Sequence, residues 1–105
     1  MRIYQLCTYH FTTEAAAAEY LPRWELHIAS LEMFAIQTHG FFSAPSDPRT
    51  VIALISYAGD ADPDAIMRNY MVSPEFKEDM RGYDISQMEA ADKLILTPGN
   101  GSPLG

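Results

Sequence analysis

The sequence predicts a single α+β domain of the ferredoxin-like split β-α-β kind, an antiparallel sheet with helices on one face. Three observations predict it. At 105 residues the chain has room for one domain and one core. Its elements read strand, helix, strand, strand, helices, strand, which within one domain is the β-α-β-β-α-β order. The segment TVIALISY, residues 50–57, is apolar on both alternating sets, so both of its faces need cover. Helices can supply one cover. A second copy of the chain is the simplest other, and a homodimer is expected.

Each element has a local cause. Residues 2–11, RIYQLCTYHF, are rich in Tyr, Ile, Phe and Thr and read as a strand. Thr12-Thr13-Glu14 supplies a cap and a first-turn acid. Ala16, Tyr20, Trp24, His27, Leu31 and Phe34 then recur at helical spacing as one stripe. Pro22 falls inside that pattern, so the helix either kinks there or restarts with Pro22 in its first turn. Residues 36–43 read as a second strand, Ala44 to Pro48 as a turn, and 50–57 as a third strand. Asp62-Pro63 and Ser73-Pro74-Glu75 each start a helix, the second running toward a stop at Gly82. Residues 87–97 are helix-like in their first half and strand-like from Leu94 to Thr97. A folded domain over 1–98 and a coil-like tail over 99–105 follow from this reading.

Composition excludes several classes. The formal net charge is −7, and the basic residues are scattered, which argues against nucleic acid or an anionic membrane as partner. No apolar run approaches a membrane span, and no signal peptide is visible before the first strand. The cytoplasm is the expected compartment. The single cysteine, Cys7, excludes an internal disulfide framework. There is no metal-ligand spacing, phosphate-cradling glycine loop or nucleophile elbow, so no metal and no cofactor is expected.

The ordered set of short motifs resembles the NIPSNAP family, a branch of the dimeric α/β-barrel superfamily. Its carriers are Ile3 to Tyr9, Trp24 with His27, Gly40-Phe41-Phe42, Val51 to Tyr57, Ser73-Pro74-Glu75-Phe76, Leu94 to Pro98 and Ser102-Pro103-Leu104. The resemblance implies a ferredoxin-like protomer whose sheet pairs with another to enclose a barrel. The wider superfamily includes cofactor-free monooxygenases, polyketide cyclases, isomerases and haem-handling enzymes. The chain departs from the family at Gln5, Cys7, Ala53 and Ile55, where Glu, Arg, His and Trp respectively are usual. These positions share a strand face with Tyr9 and Tyr57 by period-two alternation, so a charged set is largely neutralised here.

The histidines carry any proton chemistry near neutral pH. His27 lies on the helical stripe one turn from Trp24 and is the leading catalytic candidate, against the plainer reading of a hydrogen-bonded core histidine. Tyr4 and Thr8 alternate on the strand face assigned to the helices, where either would orient the imidazole or hold a substrate oxygen. His39 is expected to alternate with Gln37 and Phe41 and point into the barrel, with Asp92 sharing that enclosure. Trp24, Thr8, Phe42, Tyr57 and Asp92 are the expected substrate-binding residues. His10 reads as a rim residue, and the carboxylates, Asp79 among them, read as solvated surface. The methionines read as core filler and Cys7 as a small buried hydrophobe.

The functional expectation is a small cofactor-free enzyme acting on an apolar or aromatic molecule by acid–base chemistry. Cyclisation, isomerisation, a lyase step or cofactor-independent oxygenation would fit, with secondary metabolism as the setting. The rival is a non-catalytic small-molecule-binding or interaction module. A cavity beside His27 separates the two from a side chain packed shut.

Overall fold

The computed structural model describes residues 1–104, and Gly105, the end of the expected tail, lies outside the described residues. Four strands form one sheet: β1 (Ile3–Phe11), β2 (Gln37–Ser43), β3 (Thr50–Tyr57) and β4 (Met88–Leu96). Their order is β2-β3-β1-β4, and every neighbouring pair is antiparallel. Four helices cover one face: α1 (Glu14–Tyr20), α2 (Arg23–Glu32), α3 (Pro63–Met71) and α4 (Pro74–Asp79). This is the ferredoxin-like α+β arrangement expected from the element order. None of the helices among the described residues is long and apolar enough to cross a membrane.

The helix boundaries follow their caps. Thr13 Oγ1 accepts from the Ala16 amide at 3.0 Å and opens α1. At Pro22 the chain restarts rather than bends, with Pro22 as the residue preceding α2. Asp62 and Ser73 cap α3 and α4, each followed by proline in the first turn. α4 ends at Asp79, three residues before Gly82, which sits further on with φ +81°. At the end of α2, Ala35 occupies the left-handed region at φ 60°, and the Ile36 amide donates back to the Leu31 carbonyl at 3.0 Å. That closure usually employs glycine.

The faces of the sheet are settled by side-chain docking. Gln5, Cys7, Tyr9 and Phe11 of β1 share one face with Val51, Ala53, Ile55 and Tyr57 of β3. This face meets the helices: Tyr9 and Phe11 pack on Tyr20, and Tyr9 on Trp24. Tyr4 and Thr8 therefore lie on the opposite, open face, contrary to the sequence reading. Period two sorts β1 into two sets, but both sets carry aromatic residues, so alternation alone does not say which set meets the helices.

β2 contains a second correction. The register with β3 shifts between Thr38 and Gly40, where one extra residue enters the ladder. His39 points to the open face with Gln37, as expected, but Phe41 crosses to the helix side and stacks on Trp24 with ring centroids 6.4 Å apart. Phe42 takes the open face opposite Ile52 and is 52% exposed.

Candidate active site between sheet and helices

His27 projects from α2 into the layer between helices and sheet and is 2% exposed. Its Nδ1 lies 3.1 Å from Asp79 Oδ2 on α4 and 2.7 Å from the Tyr70 hydroxyl on α3. The Tyr70 hydroxyl also lies 2.8 Å from Asp79 Oδ2. Ser30, one turn along α2, donates to Asp79 Oδ1 at 3.1 Å. One proton layout satisfies all of these groups. A carboxylate only accepts, so Tyr70 O–H and His27 Nδ1–H both donate toward Asp79 Oδ2. If Tyr70 gave its proton to Nδ1 instead, the carboxylate would face an imidazole lone pair. The layout leaves the His27 lone pair on Nε2, which has no hydrogen-bond partner among the described residues.

Burial lowers the His27 pKa below its ordinary value, partly offset by the hydrogen bond and charge of Asp79 and reinforced slightly by Arg23. The imidazole is neutral at neutral pH and can accept a proton at Nε2. Burial, followed by the bond to Asp79, pushes the Tyr70 phenol well above the usual tyrosine range, so it remains a hydrogen-bond donor. The Arg23 guanidinium donates to the Asp79 backbone carbonyl at 3.2 Å and fixes the end of α4 from below.

His27 borders a cavity of about 100 Å³, whose walls include Tyr9, Tyr20, Trp24, Met67 and Tyr70. Met71, Ile85 and Lys93 also line it and are exposed, which places its mouth between α3 and β4. An enclosed apolar cavity of about 150 Å³ accommodates a benzene ring; this one is smaller but open, so a small ring would be enclosed only in part, with its substituents at the mouth. The Trp24 indole stands edge-on to His27 with centroids 5.0 Å apart. Trp24 is buried, yet its Nε1–H has no hydrogen-bond partner among the described residues. The Tyr20 phenol is near enough for the indole to oppose the upward push of burial on its pKa, without the geometry of a full hydrogen bond.

The remaining candidates separate into other places. Tyr57 is buried on the helix side and donates to Gln5 Oε1 at 2.9 Å, inside the set where the charged residues usual in the resembled family are replaced. Tyr4, Thr8, His39, Phe42 and Asp92 all belong to the open face and do not join His27. Tyr4 packs on His39 with centroids 5.0 Å apart, and His39 Nε2 meets Ser56 Oγ at 2.7 Å. Arg2 Nε donates to the same Ser56 oxygen at 2.7 Å. Burial and then the Arg2 charge lower the His39 pKa. Asp92 bonds to His10 at 2.8 Å rather than to His39, because β4 and β2 are opposite edges of the sheet. Among the described residues, no group of three or more His, Cys, Asp or Glu side chains stands close enough to hold a metal.

Asp79 and Tyr70 are the site residues that sequence reasoning missed. Asp79 reads as surface because an isolated acid on a short helix is usually solvated. A signal was present: Asp79 follows Phe76 by three positions, the spacing that puts two residues on one face of α4.

Fold and site together define a small ferredoxin-like domain with a buried acid–base cluster beside an open apolar cavity. No protein-family model matches the sequence, and no curated protein matches it. Solved structures do match in fold. A NIPSNAP family protein from Agrobacterium tumefaciens is 21% identical, with a TM-score of 0.78 and 100% of each chain covered. An uncharacterised NIPSNAP-like domain protein from Burkholderia xenovorans is 22% identical, with a TM-score of 0.76 over 97% of this chain and 89% of that one. A protein named as an antibiotic biosynthesis monooxygenase is 11% identical, with a TM-score of 0.59 over 91% of this chain and 98% of that one. The resemblance to NIPSNAP proteins read from the short motifs is thus supported at the level of fold.

Proposed function

We propose that the chain binds an apolar or aromatic small molecule between sheet and helices and moves a proton on it with His27. The observation that carries this reading is the anchoring of His27 Nδ1 by Asp79, whose carboxylate Tyr70 also holds, at the wall of an open cavity. Asp79 holds the ring and its tautomer, and Nε2 serves as the base. Such a base, once protonated, returns the proton, which suits cyclisation, isomerisation or a lyase step. It also suits the deprotonation that prepares an electron-rich ring for oxygen, a chemistry suggested by the name of the monooxygenase that shares the fold. This chemistry runs on side chains alone. A second copy of the chain over the open face completes the proposed molecule, since Phe42, Leu94 and Leu96 otherwise present apolar surface there.

The rival reading is a binding module in which the same bonds serve only to tie α2, α3 and α4 together. It is favoured by the fact that every polar group of the cluster except His27 Nε2 is spent on a helix-to-helix contact. The test is turnover of a panel of phenolic and polyketide-like compounds by wild type and His27→Gln. Loss of about 100- to 10,000-fold in rate with an unchanged melting temperature supports the proton-transfer role. Turnover within a few-fold of wild type overturns it, as does binding without any turnover across the panel.

A further inference from the structure

Resting on the reading of the cavity as a ligand site, we infer that its ligand is a hydroxylated aromatic ring whose oxygen accepts from the Trp24 indole N–H and whose hydroxyl proton faces His27. A buried N–H without a partner is rare in folded proteins and calls for an acceptor. Trp24 Nε1 is in that state, on a side chain 2% exposed that lines the cavity. The indole is a donor only, so whatever meets it must carry a lone pair. His27 Nε2 is an acceptor only in the layout derived above, so whatever meets it must carry a proton. The two rings are neighbours, with centroids 5.0 Å apart. A hydroxyl satisfies both at once.

The rest of the cavity narrows the class. Its walls are largely aromatic and methionine side chains, which match a ring rather than a polar chain. A carboxylate on the ligand would be buried near Asp79, whose own oxygens are already engaged by Ser30, His27 and Tyr70. A cationic ligand would offer no lone pair to Trp24. A plain hydrocarbon ring would fit the walls and leave the indole unpaired.

Trp24 is the only tryptophan, so the protein has a single indole N–H resonance and that resonance reports the site directly. The experiment is titration of ¹⁵N-labelled protein with p-cresol and, separately, with toluene, followed by ¹H–¹⁵N correlation spectra. With p-cresol the indole proton is expected to move downfield, and with toluene to show no downfield movement. The affinity for p-cresol over toluene is expected to fall about three- to tenfold in Trp24→Phe, the value of one neutral hydrogen bond. If both compounds bind and neither moves the indole proton downfield, the hydroxyl inference is overturned while the cavity reading stands. If neither compound perturbs residues of the cavity, both fall. Should Trp24→Phe not fold, the indole shift in the wild-type protein decides alone.

Discussion

His27 and Asp79 are 52 positions apart in the chain and 3.1 Å apart in space, joining the middle of α2 to the last residue of α4. Tyr70 of α3 donates to the same carboxylate oxygen, so three helices meet at one acceptor. The proposed chemistry and the helix packing therefore share the same atoms, and their contributions can be separated by choosing what each substitution removes.

Removal of the carboxylate should be costly. Asp79→Ala leaves the buried Tyr70 hydroxyl and His27 N–H, and the half-buried Ser30 hydroxyl, without their acceptor. At about 1–3 kcal/mol for an unsatisfied buried group, a loss of about 3 kcal/mol in unfolding free energy is expected by urea denaturation. Asp79→Asn keeps an acceptor oxygen and should lose less stability. It should nevertheless lose most proton-transfer activity, because an amide can offer His27 a donor and select the wrong tautomer.

The pH dependence has a defined sign. Burial lowers the folded-state pKa of His27 below its ordinary value of 6.5, against Asp79 on α4 and with Arg23 on α2. The unfolded chain then binds more protons than the folded one between those two pKa values. The stability contributed by the neutral imidazole is fully present above about pH 6.5 and is lost as pH falls through the window below it. Melting temperatures measured from pH 7.5 to pH 5 should drop, and the His27→Gln variant should show a shallower fall. An equal slope in both proteins would assign the acid sensitivity to other groups.

The open face offers a test of self-association. Leu54 lies on that face opposite Leu6 and Gly40, away from the helix-side core. Leu54→Asp is expected to convert a dimer into a monomer in sedimentation at micromolar concentration while the helix-side cavity persists. A monomeric mass for the wild-type chain under the same conditions rejects the dimer. Ile55, by contrast, is fully buried on the helix side, so Ile55→Asp should abolish folding and says nothing about association.

Ala35 provides a stability gain. It sits at φ 60° in the closure of α2, where a Cβ is disfavoured by about 1–2 kcal/mol. Ala35→Gly relieves that strain and adds some freedom to the unfolded chain. The net effect expected in denaturant unfolding is a rise of up to about 1 kcal/mol, with the denaturant dependence unchanged.

Much of the fold was legible because its signals are local. Asp62-Pro63 and Ser73-Pro74 announce two helix starts through the chemistry of capping, and both hold in the structure. The apolar alternation of residues 50–57 marked β3 as a strand, and it lies inside the sheet between β2 and β1. His27 was legible as an inward residue from its spacing with Trp24 and Leu31. What failed was everything decided by tertiary docking. Tyr4 and Thr8 were placed on the wrong side because β1 is amphipathic in neither direction, and its orientation is set by Tyr9 and Phe11 meeting Tyr20. Asp79 was lost because its burial arises only when α4 lies over α2. Phe41 was lost because an extra residue in a strand leaves no mark in the alternation until its partner strand is known.

That extra residue bears on how the strand tolerates changes in length. Thr38 pairs with Ile55 and Gly40 pairs with Leu54, positions adjacent on β3, so His39 has no counterpart there. Most one-residue deletions within a strand turn every following side chain to the wrong side. Deleting His39 instead closes the ladder into a regular one, with Phe41 still against Trp24 and Phe42 still opposite Ile52. The strand can thus shorten by a residue here without disturbing its neighbours' orientation. The losses would be the contacts of His39 with Ser56 and Tyr4. A chain lacking His39 should fold with the cavity intact, which makes this position a natural place for length variation between otherwise similar sheets.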